Sequence, residues 1–161
     1  MTFYSTATED LLFDAARKGD VAYLKQLIEE GIDINMQNSK GFTPLILSCY
    51  DDHYEATKLL LEANADPNIQ DLGGNTALMG VCFKGYENIA KLLIEHGAEL
   101  DLQTGNGGTA LMYATLFGRN KLVKLMIEAG ADQTLRDVRG LNALDLAYQQ
   151  GNQEAIELLQ K

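Results

Sequence analysis

"GGNTALMGVCFKGYENIAKLLIEHGAEL", residues 73–100, decides the fold, because "GGTALMYATLFGRNKLVKLMIEAGAD", residues 107–132, repeats its plan. Outward from these stretches, Gly41, Gly74, Gly107 and Gly140 recur at a 33-residue interval, and Leu45, Leu78, Leu111 and Leu144 keep step. Thr43, Thr76 and Thr109 hold a third phased position, which Asn142 fills in the last copy, and one period before Leu45 stands Leu12. A constant period over the whole chain means one supersecondary unit stacked on its neighbours, not a single closed core.

Each unit reads as helix, turn, helix, loop. In "TPLILSCYDD", Thr43 suits an N-cap and Pro44 the first helical position, where its missing N–H breaks no bond. Leu45, Leu47, Ser48 and Cys49 line that helix. In "YENIAKLLIEHG", Ile89, Ala90, Leu92 and Leu93 form an apolar stripe at helical spacing. Gly31, Gly97 and Gly130 end the second helices in the left-handed conformation, and Asn64 takes that place in the second unit, the softest of these ends. A lone helix pair of this size cannot bury both sides of its stripe, so neighbours must cover it.

The Gly-x-Thr-Pro-Leu opening, the small residues, the Leu-Leu and the Gly-Ala-Asp ending resemble ankyrin repeats over residues 8–161. The resemblance implies an all-α ankyrin-repeat solenoid of five stacked helix-turn-helix units joined by hairpin loops. It forms one domain across 1–161, with an N-terminal cap at 8–40, inner units at 41–73, 74–106 and 107–139, and a C-terminal cap at 140–161. Two departures stand out. The family's usual His is Ile46, Met79, Met112 or Asp145, and Pro becomes Ala77, Ala110 or Ala143 in three units. At the ends, Thr8, Asp10 and Leu11 replace Gly, Thr and Pro, while Gln160 replaces the Ile28, Leu61, Ile94 and Ile127 series. Polar end faces stop an array from growing, so the chain reads as complete.

Composition bounds the function. At 46% apolar and 22% charged, 161 residues suffice for a real core, and no run reaches the roughly eighteen apolar residues of a membrane span. "MTFYSTATED" has neither basic residues nor an apolar leader core, and two cysteines are too few for a disulfide framework; both point to the cytoplasm. The net charge of −10 opposes nucleic-acid backbones and anionic membranes.

Catalytic motifs fail. "GNGGT" (Gly105 to Thr109) lacks the Lys of a phosphate loop, and "DINMQN" (Asp33 to Asn38) has Asn where a calcium loop needs its glycine. His53 sits at a structural place after the first-helix turn, and His96 at an exposed helix end. Cys49 and Cys82, one period apart beside Ala16, Thr115 and Tyr148 of the other units, read as core packing. Stacked helices about 8–10 Å apart exceed the roughly 7 Å Cα limit of a disulfide. No enzyme, cofactor or metal is expected.

The resemblance further implies a partner protein or peptide held in the concave groove, by the hairpin tips and the exposed ends of the first helices. Carried over unit by unit, that face runs from Thr6 and Ala7 and includes Phe42, Tyr50, Leu72, Phe83, Lys84, Leu116, Phe117, Arg139 and Leu141, with Val138 beside them and Gln37, Gln70, Gln103 and Arg136 as further members. Arg17, Lys18, Lys40, Lys84, Arg136 and Arg139 against Glu9 and Asp51 give the face +4, which leaves −14 for the remainder of a chain at −10. Tyr50, Phe83 and Leu116 recur at a place expected to carry no packing. Large apolar groups on an exposed face mark a contact site; the competing reading packs each over the next repeat. The resulting expectation is a monomeric, non-catalytic binding module, an inhibitor or immunity-type protein being one form, for a partner with apolar anchors and acidic flanks. A small-ligand or enzymatic groove is the alternative.

Overall fold

A computed structural model describes residues 6–161; residues 1–5 and the side chains of Thr6 and Ala7, which carry the leader reading and the first groove positions, lie outside the described residues. Among the described residues ten α-helices follow one another and no strand occurs. They form five pairs: α1 Thr6–Lys18 with α2 Val21–Glu29, α3 Pro44–Tyr50 with α4 Tyr54–Glu62, α5 Ala77–Lys84 with α6 Glu87–Glu95, α7 Ala110–Leu116 with α8 Asn120–Glu128, and α9 Ala143–Gln150 with α10 Gln153–Gln160. First helices pack on first helices and second on second, in chain order, which is the all-α solenoid expected.

The repeated threonine starts each inner first helix as anticipated. Thr43, Thr76 and Thr109 accept the N–H of Ile46, Met79 and Met112 at 3.1, 3.3 and 3.2 Å, and Asn142 accepts that of Asp145 at 2.9 Å. Such caps satisfy a donor that the helix itself cannot. The first pair differs: α1 runs unbroken from Thr6 through Thr8 and Asp10, the places of the hairpin glycine and the capping threonine in the later units. Asn64 adopts φ 69°, matching Gly31, Gly97 and Gly130 at 84°, 87° and 97°.

The phased hairpin glycines are required twice over. Gly41, Gly74 and Gly107 have φ of 81°, 87° and 79°, and a Cβ on any of them would come within 2.9 Å of backbone in the following hairpin. Close approach lets the hairpins join: the N–H groups of Leu72, Gly105 and Val138 donate to the carbonyls of Lys40, Gly73 and Asn106. Gly140, with no hairpin after it, keeps the positive φ of 81° but meets nothing.

Leu12, Leu45, Leu78 and Leu111 are fully buried, while Leu144 at the end of the stack is half-buried. The buried core groups into two clusters, and the partly buried Ile34 packs against both. One cluster holds Leu12, Phe13, Leu24, Leu27, Ile32 and Leu47; the other runs from Leu45, Cys49 and Leu60 to the last pair. Inside the second pair the buried hydroxyls of Ser48 and Thr57 bond each other at 2.9 Å. At the C-terminal end Gln160 is exposed, and its Nε2 donates to the Tyr148 hydroxyl at 2.6 Å.

Candidate groove between hairpins and first helices

The groove wall is built by inter-repeat reach. Each hairpin is organised by one side-chain acceptor: Asn38 Oδ1 takes the N–H groups of Lys40 and Phe42, Asp71 Oδ1 those of Gly73 and Asn75, and Asp137 Oδ1 those of Arg139 and Leu141. Phe42, Leu72, Arg139 and Leu141 are therefore held at tips whose backbone is fixed locally. Leu72 and Val138 stand out at 80% and 71% exposed.

Four residues assigned to the partner face are occupied by the stack instead. Gln37 Nε2 donates to the carbonyls of Gly41 and Gln70, Gln70 to those of Gly74 and Gln103, and Gln103 to those of Gly107 and Arg136. Arg136 Nη1 completes the series on Gly140 at 2.7 Å. The outward role that the resemblance implied for them gives way to a ladder that staples one hairpin to the next.

The helix-end row is also corrected. Tyr50 and Phe83 do carry packing, with each other and with the residues that follow the row in the next repeat. Tyr50 and Phe83 stack with ring centres 6.3 Å apart, and Phe117, not Leu116, meets Phe83 edge-on at 4.6 Å. Lys84 lies 4.6 Å over the Tyr50 ring. In the third and fourth repeats alike, the residue after the row leans back onto the ring of the repeat before. Tyr50 and Phe117 still expose 43% of their surface, so this packing leaves part of each ring open.

Two cavities open beside this row. The larger, about 430 Å³, lies between the second and third pairs, lined by Phe42, Ile46, Tyr50, Met79, Gly80 and Phe83 among others, with Arg17, Asp51 and Asp71 at its edge. The smaller, about 290 Å³, lies between the fourth and fifth, lined by Gly108, Met112, Leu116, Val138, Arg139 and Leu146 among others. Tyr113 borders both, and its hydroxyl donates to Asn75 Oδ1 at 3.3 Å. Sequence reasoning named Phe42, Tyr50, Phe83, Leu116 and Arg139 of these linings but missed Ile46, Met79, Gly80, Met112 and Tyr113. Signals existed: Ile46, Met79 and Met112 fill the lost histidine positions, and Gly80 interrupts the series Leu47, Tyr113, Leu146. The histidine's bonds are replaced in two places. Met79 Sδ accepts the Thr76 N–H at 3.4 Å and Asp145 Oδ2 that of Asn142 at 3.0 Å.

The basic excess is smaller than the residue count implies. Arg139 pairs with Asp137 at 2.8 Å, Arg136 with Asp145 at 3.4 Å and Lys18 with Asp14 at 2.9 Å. The Arg139 side-chain hydrogen bond, helped by backbone N–H groups, holds the Asp137 carboxyl below the usual carboxylate range. At the edge of the larger cavity Arg17 lies with Asp51 and Asp71, the latter committed to its hairpin, and Lys84 stands over the Tyr50 ring.

The remaining titratable candidates are structural. His53 Nε2 donates to the Arg17 carbonyl at 2.7 Å, and Arg119 Nε, two repeats on at the same place, to that of Phe83 at 3.1 Å. Burial pushes the Cys49 and Cys82 thiols up to about 12. Among the described residues no three His, Cys, Asp or Glu side chains gather as a metal site, and no helix is long and apolar enough to cross a membrane.

The geometry defines a class: a solenoid of stacked helix pairs with stapled hairpins along one edge. The chain belongs to the ankyrin repeat family, whose model, described as ankyrin repeats in three copies, matches residues 12–104 and again 96–161. It is similar to a Pseudomonas aeruginosa protein named as an ankyrin repeat protein, at 40% identity over 48 residues, which make up 30% of this chain and 28% of that one. The chain thus spans less than a third of that relative's length. Ankyrin repeats mediate protein–protein interaction, and the family is typically non-catalytic.

Proposed function

We propose that this chain is a monomeric, non-catalytic docking module that holds a protein partner in the groove between its hairpins and first helices. The carrying observation is the partly exposed row Tyr50, Phe83 and Phe117, flanked by two apolar cavities on the same face. Aromatic side chains that are already held in place lose little freedom on binding and are enriched among interface hot spots. Arg17 at the larger cavity and Lys84 over the Tyr50 ring, in a chain of −10, favour a partner with apolar anchors beside carboxylates. Phe42, Leu72, Leu116, Arg139 and Leu141 frame this surface. Free, buried thiols suit the reducing cytoplasm. Masking or inhibiting the partner is the form of action that such docking supplies.

The test compares partner capture by the wild-type chain and by the Tyr50→Ser, Phe83→Ser, Leu116→Ser variant. The expected result is loss of the captured protein while circular dichroism still reports a folded helical array. A folded variant that captures the same partner undiminished moves the site off this face.

A further inference from the structure

Gly80 lies inside α5, with no positive φ and its N–H donating to Thr76 in the ordinary helical pattern. Nothing in the backbone calls for glycine there, and glycine in a helix interior is destabilising relative to alanine. The same position carries Leu47, Tyr113 and Leu146 in neighbouring repeats. What the missing side chain provides is space: Gly80 floors the 430 Å³ cavity, and a Cβ there would stand 3.3 Å from Tyr50 Cδ2. Ile46 and Met79 make the wall apolar where the family's histidine would have made it polar. Met112 does the same for the second cavity.

The two cavities lie two repeats apart, on either side of Tyr113. At about 8–10 Å between stacked helices, their separation is about 16–20 Å. An extended chain rises about 3.3 Å per residue with alternate side chains on one face, so about six residues cover this distance and return to the same face. A helix would need about eleven residues at roughly 1.5 Å each and would order nearly twice as much chain. The hairpin N–H groups of Leu72, Gly105 and Val138 are already bonded to the preceding hairpins, so recognition falls to side chains.

Resting on the groove reading above, we infer that the groove recognises one extended segment of a partner protein through two apolar side chains about six residues apart. The larger enters the Gly80 cavity and the other the cavity between Tyr113 and Leu146. Charge biases the flank: Arg17 at the edge of the first cavity and Lys84 over the Tyr50 ring stand with Asp51, while Asp71 Oδ1 is taken up by its own hairpin, so an acidic residue sits beside the first anchor.

The probes are end-blocked Gly/Ser peptides carrying Phe and Leu anchors, with Asp beside the Phe, and the readout is fluorescence anisotropy with the full chain. The peptide with anchors six apart binds at least tenfold tighter than one with anchors five apart, and Asp→Lys in the probe weakens it. Gly80→Leu lowers its affinity at least tenfold, and Gly80→Ala lowers it less, while both variants melt no earlier than wild type. Equal binding of the five-spaced peptide, tighter binding of an eleven-spaced helical peptide, no detectable binding of any peptide, or indifference to both Gly80 variants overturns the inference. If Gly80→Leu unfolds the chain, the alanine variant alone decides. A natural partner that is lost with the triple serine variant but kept by Gly80→Ala and Gly80→Leu removes this inference and leaves the groove reading standing.

Discussion

Phe117 meets Phe83 edge-on, with ring centres 4.6 Å apart at an interplanar angle of 77°, and so joins two repeats across the open face of the solenoid. The two residues sit at successive register positions of neighbouring repeats, as Tyr50 and Lys84 do one repeat earlier. Surface contacts of this kind add to nearest-neighbour coupling without belonging to the buried core.

This contact has a measurable coupling. In a double-mutant cycle of Phe83→Ala and Phe117→Ala, urea denaturation is expected to give an interaction energy of about 0.5–1.5 kcal/mol, the range for edge-to-face rings. Additive single losses would mean that the rings do not meet in solution.

The glutamine ladder should contribute more per residue than a surface amide. Gln70→Ala removes two bonds, to Gly74 and Gln103, at about 0.5–1.5 kcal/mol each, so a loss of about 1–3 kcal/mol is expected. Gln70→Glu, which keeps the shape but not the donors, should lose at least as much. A glutamate variant as stable as wild type in chemical denaturation would show that water serves these carbonyls equally well.

Much of this fold could be read from the sequence because its determinants are local and recur. Thr43, Thr76 and Thr109 cap helices wherever they stand, and Gly41, Gly74 and Gly107 are needed wherever hairpins touch. The candidate site was half legible. Periodicity alone cannot tell a residue that repeats because it faces a partner from one that repeats because it bonds the next copy. Gln70 and Tyr50 share the same period and differ only in where the side chain reaches. Interruptions of the period were more informative than the period itself: Gly80 and the apolar Ile46 and Met79 mark the cavity.

Cys49 and Cys82 give the chain an alkaline limit. Burial raises both thiols from an ordinary value of 9.0 to about 12. The unfolded chain loses these protons first, so their contribution to stability is full below about pH 9 and declines as pH rises toward about 12. The Cys49→Ala, Cys82→Ala double variant should show a shallower loss of stability across that window, measured by urea midpoints at successive pH values. At pH 8 a disulfide reagent should modify the folded wild type only at the rate of unfolding, and mass spectrometry should find no Cys49–Cys82 bridge. Prompt modification would contradict the burial.

Ser48 and Thr57 test how the two clusters of the core are divided. Their buried hydroxyls bond each other at 2.9 Å, Ser48 also donates to the Leu45 carbonyl at 3.1 Å, and Cys49 Sγ lies 3.7 Å from Thr57 Oγ1. In the fourth pair the same two positions are Ala114 and Val123, both fully buried, so an apolar version of this contact already exists in the chain. Ser48→Ala alone leaves the Thr57 hydroxyl without its partner in a water-free place, and a loss of about 1–3 kcal/mol is expected. Thr57→Val alone frees Ser48 to keep its bond to Leu45 and should cost less. The double variant removes both polar groups together and recreates the fourth pair's packing, so it should lie close to wild type or above it. Hydrogen exchange adds the second readout. If the hydroxyl pair is what separates the two apolar clusters, the double variant should raise protection of α2 relative to α6, bringing the first pair into the cooperative unit of the others. A double variant whose loss equals the sum of the single losses would show that the pair is independent, and the division of the core would then need another cause.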